Sequence, residues 1–203
     1  NFVLLSPNGD TRIYEQKTFS ISNVVDRTRP YLVRWDDSRG NSLHFSFGTN
    51  QADTDYGELR RVESSSGAYV HFRYDIYAHI VEAFSGDGRH LKYEYDQFGD
   101  LVRVVLPDNS PIRYEYAHST APVTNNGMIT QEPVSLHQLV KEIKPDGRVL
   151  FNVYDDQRRV VLQASTVGPD LNLVTNAVFS YTNDFVLTNS ITNSITGQTE
   201  IAD

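Results

Sequence analysis

Along most of the chain, apolar and polar residues alternate one by one over short runs. In "HLKYEY" (90–95), Leu91, Tyr93 and Tyr95 alternate with Lys92 and Glu94, the period-two pattern of a strand with one buried face. "YVHFRY" (69–74) and "SLHFSF" (42–47) follow the same rule. No window sustains a 3.6-residue apolar period, and only 118–142 contains a stretch that could pass for a short helix. The pattern predicts strands almost throughout.

Between the runs lie turn signals. "LPDN" (106–109), "KPDG" (144–147) and "SPNG" (6–9) share a form in which proline or a polar residue sets the turn and glycine or asparagine takes the left-handed slot. This is the chemistry of a three-residue hairpin loop, a type I turn closed by a bulge. The alternate turns, such as Asp96-Gln97-Phe98-Gly99, place an aspartate first, where its carboxylate can accept a backbone N–H two residues on. The returning strands break strict alternation. Leu59 and Val62, like Leu101 and Val104, are three apart, which calls for a bulge or a local twist.

The hairpins repeat. Gly67, Gly88 and Asn109 are spaced by 21 residues, and Gly147 follows after an insertion. Seven residues after these anchors come Tyr74, Tyr95, Tyr116 and Tyr154, and five residues after the first three come Phe72, Tyr93 and Tyr114. Asn152 is the exception at that second position. Self-similarity at such a period marks a repeat architecture. The expected fold is all-β: a repetitive antiparallel meander of hairpins in one curved, twisted open sheet, part of a larger shell or barrel. The expected organisation is one segment, 1–203, clearest over 57–117 and 137–165, with insertion loops at 48–56, 118–136 and 168–177. The recurring aromatics are expected to line one face as core.

"GRHLKYEYDQFGDLVRVVLPDN" (88–109) and "DGRVLFNVYDDQRRVVLQAS" (146–165) resemble the YD repeats of Rhs (rearrangement hotspot) proteins, of shell components of insecticidal toxin complexes and of animal teneurins. The structural repeat positions are Gly67, Tyr74, Asp75, Gly88, Tyr93, Tyr95, Asp96, Gly99, Pro107, Asn109, Tyr114, Tyr116, Pro145, Gly147, Tyr154 and Asp155. Ala117, Arg158 and Asn109 depart from the pattern in their turn chemistry. The resemblance implies a sheet strip that spirals into a hollow shell, which in bacterial members encloses a C-terminal effector. It implies partners in other repeats and in an effector domain of the same parent polypeptide, and a secreted or cell-surface location. The Asp-Pro-x-Gly-Leu type self-cleavage core of bacterial members is not found in this sequence.

Composition adds bounds. The chain has 203 residues, no cysteine, twelve Tyr, ten Phe and a formal charge of −8. Its basic residues are scattered, which argues against nucleic acid or an anionic membrane as partner. No apolar run reaches the roughly 18 residues a membrane helix needs. The chain starts inside a strand-like run, "NFVLL", and reads as part of a longer polypeptide.

Candidate chemistry is sparse. The Tyr-Asp pairs recur with every hairpin and need only a turn cap to explain them. Asp53, Asp55 and Glu58, in "NQADTDYGE", offer hard oxygen ligands suited to calcium, but without the remainder of an EF-hand loop. His44 and His71 face away from the aromatics, with Lys92 and Arg113, in what reads as a solvated row; His90 stands apart from it. No nucleophile elbow, phosphate loop or His-Glu-x-x-His motif is found. No cofactor is expected, and the segment reads as non-catalytic. The strand Val149–Tyr154 is apolar on both faces, and the 118–136 loop is expected to fold back over it. Residues 17–30 are expected to form a strand and an irregular crossover, and the tail "YTNDFVLTNSITNSITGQTE" (181–200) a degenerate hairpin. Trp35 and Tyr77 lie outside the aromatic rows. They carry an alternative expectation, a module binding carbohydrate or a receptor at a cell surface.

Overall fold

The computed structural model describes residues 1–20, 27–125, 128–167, 172–181, 187–193 and 198–202. These residues contain strands, turns and connecting segments, and no helix. Among the described residues sixteen strands follow one another in chain order, and within each unit neighbouring strands pair antiparallel. The chain forms two compact units, Asn1–Tyr93 and Glu94–Asp203.

In the first unit β1 (Phe2–Leu5) pairs with β2 (Thr11–Phe19), and β2 with β3 (Arg27–Asp36) from Thr11↔Asp36 to Phe19↔Arg27. The described residues of 17–30, Ser20 apart, therefore belong to paired strands and not to an irregular crossover. The Lys17↔Arg29 and Thr18↔Thr28 pairs continue the ladder, while Ile21, Val24 and Val25 lie outside the described residues. β4 (Ser42–Phe47), β5 (Leu59–Ser64), β6 (Tyr69–Tyr74), β7 (Ile80–Ser85) and the part of β8 (His90–Tyr95) up to Tyr93 continue the meander.

In the second unit β9 (Leu101–Val105) and β10 (Pro111–Asn125) lead into β11 (Met128–Ile143), β12 (Val149–Tyr154) and β13 (Val160–Val167). β14 (Asn172–Tyr181), β15 (Leu187–Asn193) and β16 (Gln198–Ala202) complete it. The expected tail hairpin is present as β15 paired to β16, from Asn189↔Ala202 to Asn193↔Gln198. Residues 172–177, expected in a loop, belong to β14.

Residues 118–136 overturn two expectations. The described residues of this segment form neither the expected loop nor a flap over β12. Ser119↔Val134, Ala121↔Glu132 and Val123↔Thr130 pair the segment with itself, extending β10 and β11 into a ribbon. The Pro and Asn-Gly signals suggested a loop, but backbone bonds between the two arms satisfy the ladder and leave the segment no need to cover anything. Val153 of β12 remains 49% exposed.

The spacing of three between Leu59 and Val62 is a bulge. Ser46 pairs with Arg61 and Phe47 with Leu59, which leaves Arg60 out of the ladder. The same slip precedes Tyr14, Tyr74 and Tyr154, and it leaves Val33, Val81 and Val161 unpaired. One extra residue reverses the parity of the return strand, so Leu59 and Val62 share a face. Burial is shallow. Phe19, Ala83, Val104 and Ala164 are the buried hydrophobics among the described residues, and the aromatic rows are half-buried.

Candidate functional site

The recurring unit is the turn. Nine described turns share one hydrogen-bond pattern, in which the fourth residue's N–H donates to the first residue's carbonyl and the first residue's N–H donates to the fifth residue's carbonyl. They begin at Ser6, Asp37, Ser64, Asp75, Ser85, Asp96, Leu106, Lys144 and Asp155. In each, the fourth residue has positive φ, from Gly9 at 88° to Arg158 at 64°. Gly67, Gly88, Gly99, Asn109 and Gly147 occupy that slot. Ala78 also does so, and sequence inspection missed it because alanine carries no turn signal. Pro107 and Pro145 sit second in their turns, at exposed positions where a missing N–H costs nothing.

The aspartates of the Tyr-Asp pairs are spent as caps. Asp75 Oδ1 accepts the N–H of Tyr77 and of His79, at 2.8 and 2.9 Å. Asp96 does the same for Phe98 and Asp100, Asp155 for Gln157 and Arg159, and Asp37 for Arg39 and Asn41. In two of these caps the second carboxylate oxygen meets a basic side chain four residues on: His79 Nδ1 lies 3.0 Å from Asp75, and Arg159 Nε donates to Asp155 at 2.8 Å. On the other class of turn Arg89 and Arg148 take that role for Asp87 and Asp146. The Arg89 guanidinium holds the Asp87 carboxyl at about 2.

The tyrosines are anchors. Tyr74 Oη donates to the Leu59 carbonyl at 2.8 Å and Tyr154 Oη to the Leu139 carbonyl at 2.9 Å, tying each hairpin to the strand before it. Tyr181 repeats the bond to Val160. Burial pushes the Tyr74 hydroxyl up to about 12, with Glu58 and Asp55 adding to it. Asn152, the exception in the aromatic row, donates to the same Leu139 carbonyl at 3.0 Å. Tyr93, Tyr95, Tyr114 and Tyr116 are half-buried in β8 and β10.

The acidic loop is a knot around Arg60. Its guanidinium donates to Asp55 through two nitrogens and to Asp53 at 3.2 Å, so the bulged residue engages both carboxylates. Glu58 has its backbone in the same knot, accepting from Gly48 and donating to Asp55. Gly48 sits so close to the Asp55 carbonyl that a Cβ there would overlap it. Tyr56 stacks edge-on against Phe19, 5.2 Å between centroids, and its hydroxyl accepts the Ser20 N–H. Phe19, Tyr31, Phe47 and Tyr56 form the densest aromatic cluster of this unit. Among the described residues no three His, Cys, Asp or Glu side chains are grouped to hold a metal ion.

Of the expected solvated row, His44, Lys92 and Arg113 are exposed, whereas His71 joins a network of rings and charges. His71 stacks on Phe84 at 4.8 Å, Arg73 lies over the same ring, and Arg61 lies 3.8 Å from the Tyr69 centroid. Glu82 pairs with Arg73 at 2.9 Å and approaches His90 at 3.7 Å, which places His90 within the row. The rings of Phe84 and Tyr69 give Arg73 and Arg61 a surface to lie against, although Arg73 itself stays exposed. Burial, with Arg60 and Arg73, pushes the His71 imidazole down and favours its neutral form. An open groove of about 650 Å³ beside Arg60 is lined by this network, and its charges are used among themselves. Trp35 is half-buried with the Arg12 guanidinium 4.7 Å over its ring, whereas Tyr77 is 75% exposed.

No known family profile and no curated protein sequence matches the chain. Solved structures do match. A crystal structure of TcdB2-TccC3-Cdc42 aligns with 95% of this chain and 11% of its own, at 11% identity and a TM-score of 0.44. TcdB2-TccC3 without its hypervariable C-terminal region aligns with 97% of this chain and 14% of its own, at 13% identity and a TM-score of 0.42. The Photorhabdus luminescens Tc holotoxin pore aligns with 90% and 12% respectively, at 13% identity and a TM-score of 0.39. The chain thus spans between 11% and 14% of the structures it is similar to.

Proposed function

We propose that the chain is a non-catalytic wall segment of an Rhs/YD-repeat shell that encloses an effector domain of the same parent polypeptide, in a protein secreted or held at a cell surface. One observation carries the proposal: the same backbone turn is built nine times, and the Asp groups of the Tyr-Asp pairs, with the Tyr74 and Tyr154 hydroxyls, are consumed in building and bracing it. A catalytic group needs an unspent lone pair or proton facing a substrate; these face their own backbone. The repeat resemblance supplies the shell and its cargo. A strip whose hairpins brace each other suits a container better than a single pocket would.

The test uses the whole parent polypeptide. Intact masses are recorded before and after denaturation, with mild proteolysis of the native form. A C-terminal piece that is already severed, yet bound and protected until denaturation, supports the container. One uncleaved chain with freely digested flanking parts refutes it.

A second reading, a carbohydrate- or receptor-binding adhesion module, draws on Tyr77 and Ile76, which stand 75% and 79% exposed at the tip of a rigidly capped turn. Trp35 gives it no support, since Arg12 covers its ring. Glycan-array binding lost on Tyr77→Ala would favour it over the wall.

A further inference from the structure

The turn at 96–100 departs from its siblings in one residue. Where Asp75 finds His79 and Asp155 finds Arg159 four residues on, Asp96 finds Asp100, a second carboxylate. Asp100 is 7% exposed, and a buried charge needs a partner. That partner comes from β11, 35 and 37 residues away. Ser135 Oγ donates to Asp100 Oδ2, and His137 Nδ1 lies 2.7 Å from Asp100 Oδ1.

The contact sits at an irregularity. Tyr116 pairs with Leu139 and His118 with Ser135, so Leu136, His137 and Gln138 are bulged opposite Ala117. His137 holds φ at 55°, a conformation unfavourable to an L side chain, and its N–H donates back to Ser135 Oγ at 3.0 Å. The bulge is strained in order to deliver an imidazole and a hydroxyl to one carboxylate. Burial raises the Asp100 carboxyl, but Ser135, His137 and then His118 outweigh it and hold it below the ordinary range.

Beyond the bulge the chain is a two-stranded ribbon. β9 pairs with β10 only over Pro111–Arg113, and β12 with β11 only over Lys141–Ile143, whereas His118–Asn125 and Met128–Ser135 pair only with each other. An isolated two-stranded ribbon is marginal in water. Pro122 and Pro133, one on each arm, remove donors that an exposed ribbon edge would otherwise offer to other chains.

We propose that Asp100, Ser135 and His137 form a clasp that fixes the base of the 118–135 ribbon, so that closing or opening it decides whether the ribbon stands rigid or moves as a hinged arm. The clasp joins the turn after β8 to a strand three places along the sheet order, a connection that backbone pairing there does not supply.

Hydrogen exchange with mass spectrometry on the full chain tests this, comparing the parent with Asp100→Asn and His137→Gly. Losing a hydrogen bond to a charged group is expected to speed exchange in peptides from 118–125 and 128–135 roughly tenfold, with β5–β8 peptides unchanged. If Asp100→Asn loosens the whole second unit, His137→Gly decides. Glycine relaxes the backbone there, so faster ribbon exchange means that the imidazole held the base. Ribbon exchange within about twofold of the parent, or slower, in His137→Gly overturns the clasp.

Discussion

Tyr74 donates its hydroxyl to the carbonyl of Leu59 at 2.8 Å, across fifteen residues and from one hairpin to the strand before it. The bond lies at the bulge, where Arg60 leaves the ladder. Tyr74→Phe keeps the ring and removes the donor, so the Leu59 carbonyl loses its partner in a half-buried site. A loss of about 1 kcal/mol is expected. Urea unfolding of Tyr74→Phe and Tyr154→Phe checks it. Unchanged midpoints in both would mean that the rings, and not the hydroxyls, brace the hairpins.

The same hydroxyl gives a pH dependence. Its folded value is raised to about 12 from the usual 10, because burial, with Glu58 and Asp55, disfavours the phenolate. A raised value in the folded state means that this stability is fully present below pH 10 and is lost as pH climbs from 10 to about 12. Tyrosinate absorbance should show one group titrating after the rest, and Tyr74→Phe should flatten part of the alkaline fall in stability. A parent and variant with the same alkaline limb would contradict the assignment.

The left-handed slot separates residues that suit it from those that do not. Ala78 holds φ at 64° where glycine stands in most sibling turns. Ala78→Gly should stabilise by about 0.5 kcal/mol, the relief of the Cβ clash less the added freedom of the unfolded chain. Gly147→Ala should cost about 1 kcal/mol for the converse reason. Thermal melts of the two variants should move in opposite directions.

These turns explain what the sequence revealed and what it hid. Pro145-Asp146-Gly147 is local chemistry, fixed within four residues, and so are the Asp96 and Asp155 caps. The bulge was visible as the interval from Leu59 to Val62, although its extra residue, Arg60, emerges only from the pairing with β4. The ribbon was not legible. Pro122, Pro133 and Asn125-Asn126-Gly127 are loop signals one residue at a time, and only the register Ala121↔Glu132 turns them into two arms. In the polar row His44, Lys92 and Arg113 are exposed as expected, and only His71 departs, for a similar reason. His71 next to Phe84 is a cross-strand fact, and period-two patterning says which face a side chain takes, not what it meets there.

The acidic loop yields the last prediction. Asp53 and Asp55 resemble calcium ligands in sequence, yet Arg60 holds both. The guanidinium keeps the Asp55 carboxyl below the ordinary range despite its burial. A cation would have to displace a hydrogen-bonded guanidinium before it could bind. Millimolar calcium should therefore leave the melting temperature of the parent unchanged. Arg60→Met removes the guanidinium and leaves Asp55, 8% exposed, without its partner. That should destabilise by about 3 kcal/mol, the cost of an unpaired buried charge. Calcium should then restore part of the loss, because the two carboxylates are released as ligands. A calcium-dependent rise in the melting temperature of the parent itself would show that the loop binds the ion with Arg60 in place, and the knot would have to be redrawn as a metal site.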